Sequence, residues 1–146
     1  MAALFHDITK PAHRRLVENG ATFYGHEISG AKTAQAALKR LKYPNDFIDD
    51  VSTLIERHMF TTDVTDKGLR RLVKRVGVDL IFDLLDLRRA DVVGQGMGGT
   101  TDDVDRFETE IRAELAKKPP FRLSDLAIDG TDVMRIFSIV PGRAVG

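Results

Sequence analysis

The chain contains no cysteine. Disulfide staples and thiolate ligands are therefore excluded, and any bound metal must be held by nitrogen and oxygen. It also lacks an apolar stretch approaching the roughly 20 residues that span a bilayer. No basic-then-apolar leader opens the sequence, so the expected location is the cytoplasm, with no membrane partner. Neither sign of charge prevails: 22 Lys and Arg stand against 22 Asp and Glu. No global field draws in nucleic acid, and any polyanion binding has to be local. Internal repeats, low-complexity tracts and long runs of strand-like alternation are missing as well.

What remains is 146 residues, 42% hydrophobic and 30% charged, the profile of one folded domain. Both ends read as abrupt: Met1 lies within a few residues of a His-Asp pair, and "PGRAVG" (141–146) stops on a turn-like stretch. The expectation is a single helical domain over 1–146, cut from a longer protein or a shortened relative of one.

The fold class read from the pattern is all-α. Ala3 to Ile8 resembles the last turns of a buried helix, stopped near Lys10 because the residue before Pro11 avoids helical geometry. Residues 11 to 28 are mixed and glycine-punctuated, hence loop. Ser29 reads as an N-cap for the alanine-rich "GAKTAQAALKRLKY". Pro44 and Asn45 open a helix in which Phe47, Val51, Leu54, Ile55 and His58 recur at helical spacing. Asp66 reads as the cap of "KGLRRLVKRVG", closed by Gly77. The next helix places Leu80, Leu84, Leu87 and Asp91 on one stripe. "GQGMGGT" (94–100) is a break; it lacks the preceding strand and the terminal Lys-Ser or Lys-Thr of a phosphate-binding loop. Thr100 or Thr101 then caps an acidic helix that turns Val104, Phe107, Ile111 and Leu115 inward. "KKPP" ends it, and a short helix is expected around Thr131 to Phe137.

Two polar residues fall on apolar faces, and a third feature, the His-Asp pair, joins them. Asp91 shares the stripe of Leu84 and Leu87, and a carboxylate there costs several kcal/mol unless a cation or strong donors meet it. Arg88 or a cation from farther along the chain could serve. His58 continues an apolar stripe, as a satisfied core histidine or as a ligand. His6 and Asp7 are adjacent, so both reach one ion only at a helix end or over a cleft lip. Lys10, three residues after Asp7, holds positive charge where a phosphoryl oxygen would sit. This donor set suits manganese, nickel, magnesium, iron or zinc, and metal-assisted phosphoester hydrolysis is chemistry such an arrangement serves.

The stretch "LFHDITKP" resembles the signature "LLHDIGKP" of the HD superfamily of metal-dependent phosphohydrolases, whose fold is an all-α helical bundle. His26 in "FYGHEISGA" and His58 in "LIERHMF" resemble the further histidines of the extended pattern, and Asp91 in "DLRRADVVGQG" its terminal aspartate. Beyond these residues, "FYGHEISGAKTAQAALKRLKYP", "LRRLVKRVGVDLIFDLLDLRRAD" and "LAIDGTDVMRIFSIVPGRAVG" are similar to the HD region of CCA-adding tRNA nucleotidyltransferases and related poly(A) polymerase-like proteins. The resemblance implies one metal group of His6, Asp7 and Asp91 and a second of Asp7, His26 and His58, with Asp7 and Lys10 as the catalytic pair. Two departures stand out. No histidine precedes His6, where the superfamily supplies one from the preceding helix, so the first metal group is a ligand short; and the nucleotidyltransferase core is absent, so this chain is not expected to add CCA by itself. Thr9 replaces the glycine before the lysine, which removes no ligand.

The helix "KGLRRLVKR" carries five cations in nine residues. It is either a solvated face or a contact with substrate or RNA phosphate through Arg70, Arg71, Lys74 and Arg75. Two functions follow. One is a metal-dependent phosphohydrolase acting on a phosphoester, a nucleotide or an RNA end. The other is a non-catalytic helical module, or a fragment of a tRNA nucleotidyltransferase, binding RNA or a partner. Oligomeric state leaves no trace in the sequence.

Overall fold

The computed structural model describes residues 1–18, 20–96, 99–117, 119, 121 and 126–142. Parts of the "KKPP" and "PGRAVG" readings, and of the glycine-rich break, lie outside these residues. Among the described residues eight helices run in order: α1 (Ala2–Phe5), α2 (Lys10–His13), α3 (His26–Arg40), α4 (Asn45–Arg57), α5 (Asp66–Val76), α6 (Ile81–Gly94), α7 (Asp102–Ala116) and α8 (Gly130–Phe137). A hairpin of β1 (Arg15–Val17) and β2 (Gly20–Thr22) separates α2 from α3. No described helix is long and apolar enough to cross a membrane.

The all-α reading holds. Along α4 the buried residues are Ile48, Val51, Leu54 and Ile55, one stripe laid against α3, which buries Ala31, Ala34 and Leu38. Small alanines on α3 let the two backbones approach, so this pair forms the centre of the bundle. The short α1 is packed among α3, α4 and α6. On α6 the buried residues are Ile81, Leu84, Leu85 and Leu87, and α7 covers α6 with Val104, Phe107 and Ile111. The α5 helix closes the side between α4 and α7 with Leu69, Val73 and Val76.

Several local expectations are corrected. Pro11 does not end a helix; it sits in the first turn of α2, where its missing N–H costs nothing. The stretch read as loop over 11 to 28 contains α2, the hairpin and the start of α3. Ser29 lies inside α3, which begins at His26 after Gly25, whose φ of 85° lies in the left-handed region. Its hydroxyl caps nothing and reaches back toward α2 instead. Thr65, not Asp66, is the N-cap of α5, accepting from the Gly68 N–H at 3.3 Å. Thr65→Ala is therefore expected to cost about 1 kcal/mol of stability, read from urea denaturation. Gly77 closes α5 as expected, at φ 99°. Phe47 lies at the surface, 36% exposed, and Ile48 takes its place in the core, while Leu80 and Leu115 are only half-buried. Thr101 is the N-cap of α7, but its hydroxyl bonds the Asp105 carboxylate rather than a backbone N–H.

Glu114 is buried on α7 and was invisible to the apolar pattern. Arg70 of α5 pairs with it, and Lys117 adds a second contact at 2.8 Å. The Arg70 guanidinium, then the Lys117 ammonium, hold its carboxyl below the ordinary range. Arg89 on α6 donates to Asp86, Asp105 and Glu108, tying α6 to α7. That leaves Arg88 as the arginine on the side of Asp91.

Candidate metal centre

His6 and His58 occupy the C-terminal cap positions of α1 and α4, and His26 is the first residue of α3. In each, the ring reaches back three residues to a backbone carbonyl. Nδ1 of His6 lies 2.9 Å from Ala3 O, that of His26 2.7 Å from Phe23 O, and that of His58 2.7 Å from Ile55 O. For His6 and His58 that carbonyl lies in the last turn of a helix, where it has no intrahelical partner and is a ready acceptor; for His26 it lies in the segment ahead of α3. A carbonyl can only accept, so each Nδ1 carries the proton. In the neutral ring Nε2 is then a bare lone pair. The same local device thus presents three ligand atoms.

Those atoms converge on Asp7. Its Oδ1 lies 3.3 Å from His26 Nε2 and 3.9 Å from His58 Nε2; its Oδ2 lies 3.4 Å from His6 Nε2. Asp91 Oδ1 stands 3.5 Å from His6 Nε2. Two sets of donor atoms come close enough to share an ion: Asp7 with His26 and His58, and His6 with Asp7 and Asp91. Asp7 belongs to both. All five residues read from the sequence as ligands are therefore brought together.

The donors fit a cation better than they fit one another. His26 and His58 face each other through Nε2 atoms 3.2 Å apart, and with both protons on Nδ1 no hydrogen bond can join them. His6 Nε2 and Asp7 Oδ1 are buried without a hydrogen-bond partner. Orphaned buried acceptors cost free energy unless a positive species lies among them. Burial holds the His58 ring below its ordinary pKa, and the nearby His26 and His6 rings act in the same direction against the Ile55 carbonyl and Asp7. His58 accordingly stays neutral at neutral pH, the form that binds metal. Burial pushes the Asp91 carboxyl up, but the Gln95 amide, the His6 ring and Arg88 outweigh it, and the group is held below the usual range.

Lys10 Nζ lies 2.6 Å from Asp7 Oδ2 and 5.8 Å from the centre of the Phe23 ring. It borders a cavity of about 510 Å³ shared with Tyr24, His26 and Met59. A second opening, of about 340 Å³, reaches His6, Asp7 and Asp91 from the α6 side. The four cations read on α5 separate: Arg70 is engaged by Glu114, Lys74 is exposed, and Arg71 and Arg75 line a further cavity.

Sequence reasoning missed the support behind the cluster. Thr9 donates to His26 O at 2.8 Å, and Ser29 Oγ lies 2.8 Å from both Thr9 Oγ1 and His13 Nε2. His13 is fixed in turn by its Nδ1, 2.9 Å from Tyr24 O. This chain of bonds ties the turn after Asp7 to the first turn of α3. The signal available was the fourth histidine, left unassigned between two that were assigned.

The sequence profile of the HD domain matches residues 1–94, a span that holds every member of the cluster. Over its whole length the chain is 34% identical to the CC-adding tRNA nucleotidyltransferase of Thermus thermophilus, 33% of which it covers. It thus spans about a third of the length of that curated relative. No solved structure matches the chain.

Proposed function

The chain belongs to the HD-domain family, and from that membership we propose that it is a metal-dependent phosphohydrolase acting on a phosphomonoester or phosphodiester of a nucleotide or an RNA end. The observation that carries the reading is the shared carboxylate. Asp7 completes both donor sets, and two of the atoms in them are buried acceptors without a hydrogen bond. His26 and His58 would hold one ion with Asp7, and His6 and Asp91 a second. Manganese, nickel, magnesium, iron and zinc all accept such donors. When bound, ions of this kind polarise a phosphoryl oxygen and make water acidic enough to attack.

The chain's own residues do the rest. Carbonyls of Ala3, Phe23 and Ile55 fix the imidazole tautomers and aim the rings. Lys10 spends one N–H on Asp7 and keeps two for a phosphoryl oxygen, whose negative charge it neutralises. Thr9, Ser29 and His13 hold the turn carrying Asp7 against α3. Ser29→Ala is expected to weaken manganese affinity by about tenfold, as loss of outer support does elsewhere, with titration calorimetry as the readout.

The likeness to a tRNA nucleotidyltransferase supports association with RNA. It also supports a second reading, a non-catalytic helical module of a larger tRNA enzyme, because the chain corresponds to only 33% of that relative. Elemental analysis of the purified chain, then assays on bis(p-nitrophenyl) phosphate and 2′,3′-cyclic nucleotides with manganese or nickel, separates the two. Bound metal with chelator-sensitive hydrolysis is the expected result. Metal-free, inactive protein that binds RNA in a salt-sensitive way establishes the module.

A further inference from the structure

Beside the metal centre a second cavity, of about 320 Å³, opens between the end of α4 and α5. It shares Glu27 and Met59 with the cavity that borders Lys10 and His26, so the two lie side by side and are taken together as one groove. Arg71 and Arg75 line the far part, together with Glu56 and Arg57. Residues 71 and 75 are four apart on α5 and so lie on one face. Arg57 is paired with Glu56 at 2.9 Å, whereas among the described residues no ion pair joins Arg71 or Arg75 to a carboxylate. Arg70, the immediate neighbour, does have one in Glu114. Among the described residues, therefore, two guanidiniums without a carboxylate partner line the same groove.

From the Lys10 end, the lining charges are Lys10, then Glu27, then Arg71 and Arg75 beside the Glu56–Arg57 ion pair, whose charges offset each other. A uniform polyanion matches it poorly, because Glu27 repels phosphate. A nucleotide chain matches it well. Phosphates fall at the two basic stations, and a ribose between them can donate its hydroxyls to the Glu27 carboxylate. Guanidinium groups suit the far phosphate because their planar forks bind its oxygens in pairs. Tyr24, 85% exposed at the near end, offers a ring face on which a base can stack.

We infer that Arg71 and Arg75 form a second phosphate subsite, and that the groove takes a single-stranded RNA segment carrying a phosphate beyond the one presented to the metal centre. The inference deepens the proposed function and rests on it for the direction of the strand, but its binding test does not depend on hydrolysis.

Fluorescence anisotropy of a labelled single-stranded RNA ten-mer is measured on the chain as purified, without chelator, over a salt series, for the wild-type chain and for the Arg71→Ala/Arg75→Ala variant. A Lys32→Ala/Lys67→Ala variant removes the same charge from exposed positions outside the groove. The expected result is at least tenfold weaker binding by the arginine variant alone. Its log–log salt slope should be shallower by about 0.7, the value for one lost phosphate contact on a single strand. Equal weakening in both variants, unchanged affinity in the arginine variant, or no RNA binding by the wild type overturns the subsite. Hydrolysis of a 2′,3′-cyclic mononucleotide by the wild-type chain with manganese is measured in parallel. Its absence strikes the hydrolase reading and leaves the binding result standing.

Discussion

Asp7→Ala is expected to lower kcat/KM on a 2′,3′-cyclic nucleotide by on the order of 10³-fold or more, the loss that removal of a metal and its charge stabilisation brings. The size follows from its position. His26 and His58 meet Oδ1, His6 meets Oδ2, and Lys10 is anchored on the same carboxylate at 2.6 Å. No other described residue belongs to both donor sets. Asp7→Asn is the informative companion. The amide keeps the shape but not the charge, so it should lose nearly as much activity while circular dichroism reports the same helical content. Asp91→Ala touches only one set and should cost less than Asp7→Ala. Equal losses would mean that the two sets do not share the work through Asp7.

Metal should also stabilise the fold strongly. Without a cation, the apposed lone pairs of His26 and His58 and the orphaned acceptors of His6 and Asp7 are uncompensated. They sit where α1, α3, α4 and α6 meet, so an ion there joins helices far apart in sequence. Binding to the folded state alone contributes RT ln(1 + [L]/Kd), about 4 kcal/mol at a thousandfold excess over Kd. For a chain of this size that is roughly 8 to 16 °C in Tm. Differential scanning fluorimetry with manganese against EDTA reads it directly. A Tm that ignores manganese contradicts the proposed centre, whatever the activity assays give.

Much of the fold was legible because burial writes a period into the sequence. Val51, Leu54, Ile55 and His58 did share the inward face of α4, and Gly77 closed α5 because its φ of 99° suits glycine. The hairpin was not legible: its strands are three residues each, and β1 is exposed throughout, so no alternation of buried and exposed residues exists to be read. Ser29 misled for a related reason. A serine before an alanine-rich run has the chemistry of an N-cap, but its hydroxyl was taken by Thr9 and His13, partners that only the tertiary fold supplies. Glu114 hides among apolar neighbours at helical spacing, and only its contacts with Arg70 and Lys117 explain its burial.

At the site, residue types were legible and geometry was not. Asp91 on a leucine stripe signalled an unusual partner, and the structure sets His6, Gln95 and Arg88 around it. Nothing in the spacing of His6, His26 and His58 discloses that each ring returns to the carbonyl three residues back. Nor does charge density along α5 tell Arg70, held by Glu114, from Arg71 and Arg75, which face the groove. Those distinctions belong to packing between helices.

Anomalous scattering from crystals of the chain grown with manganese tests the central claim most directly. The account expects anomalous density enclosed by Asp7, His26 and His58, with a second, weaker peak toward His6 and Asp91. Density confined to surface carboxylates, with the histidine cluster empty, would contradict it.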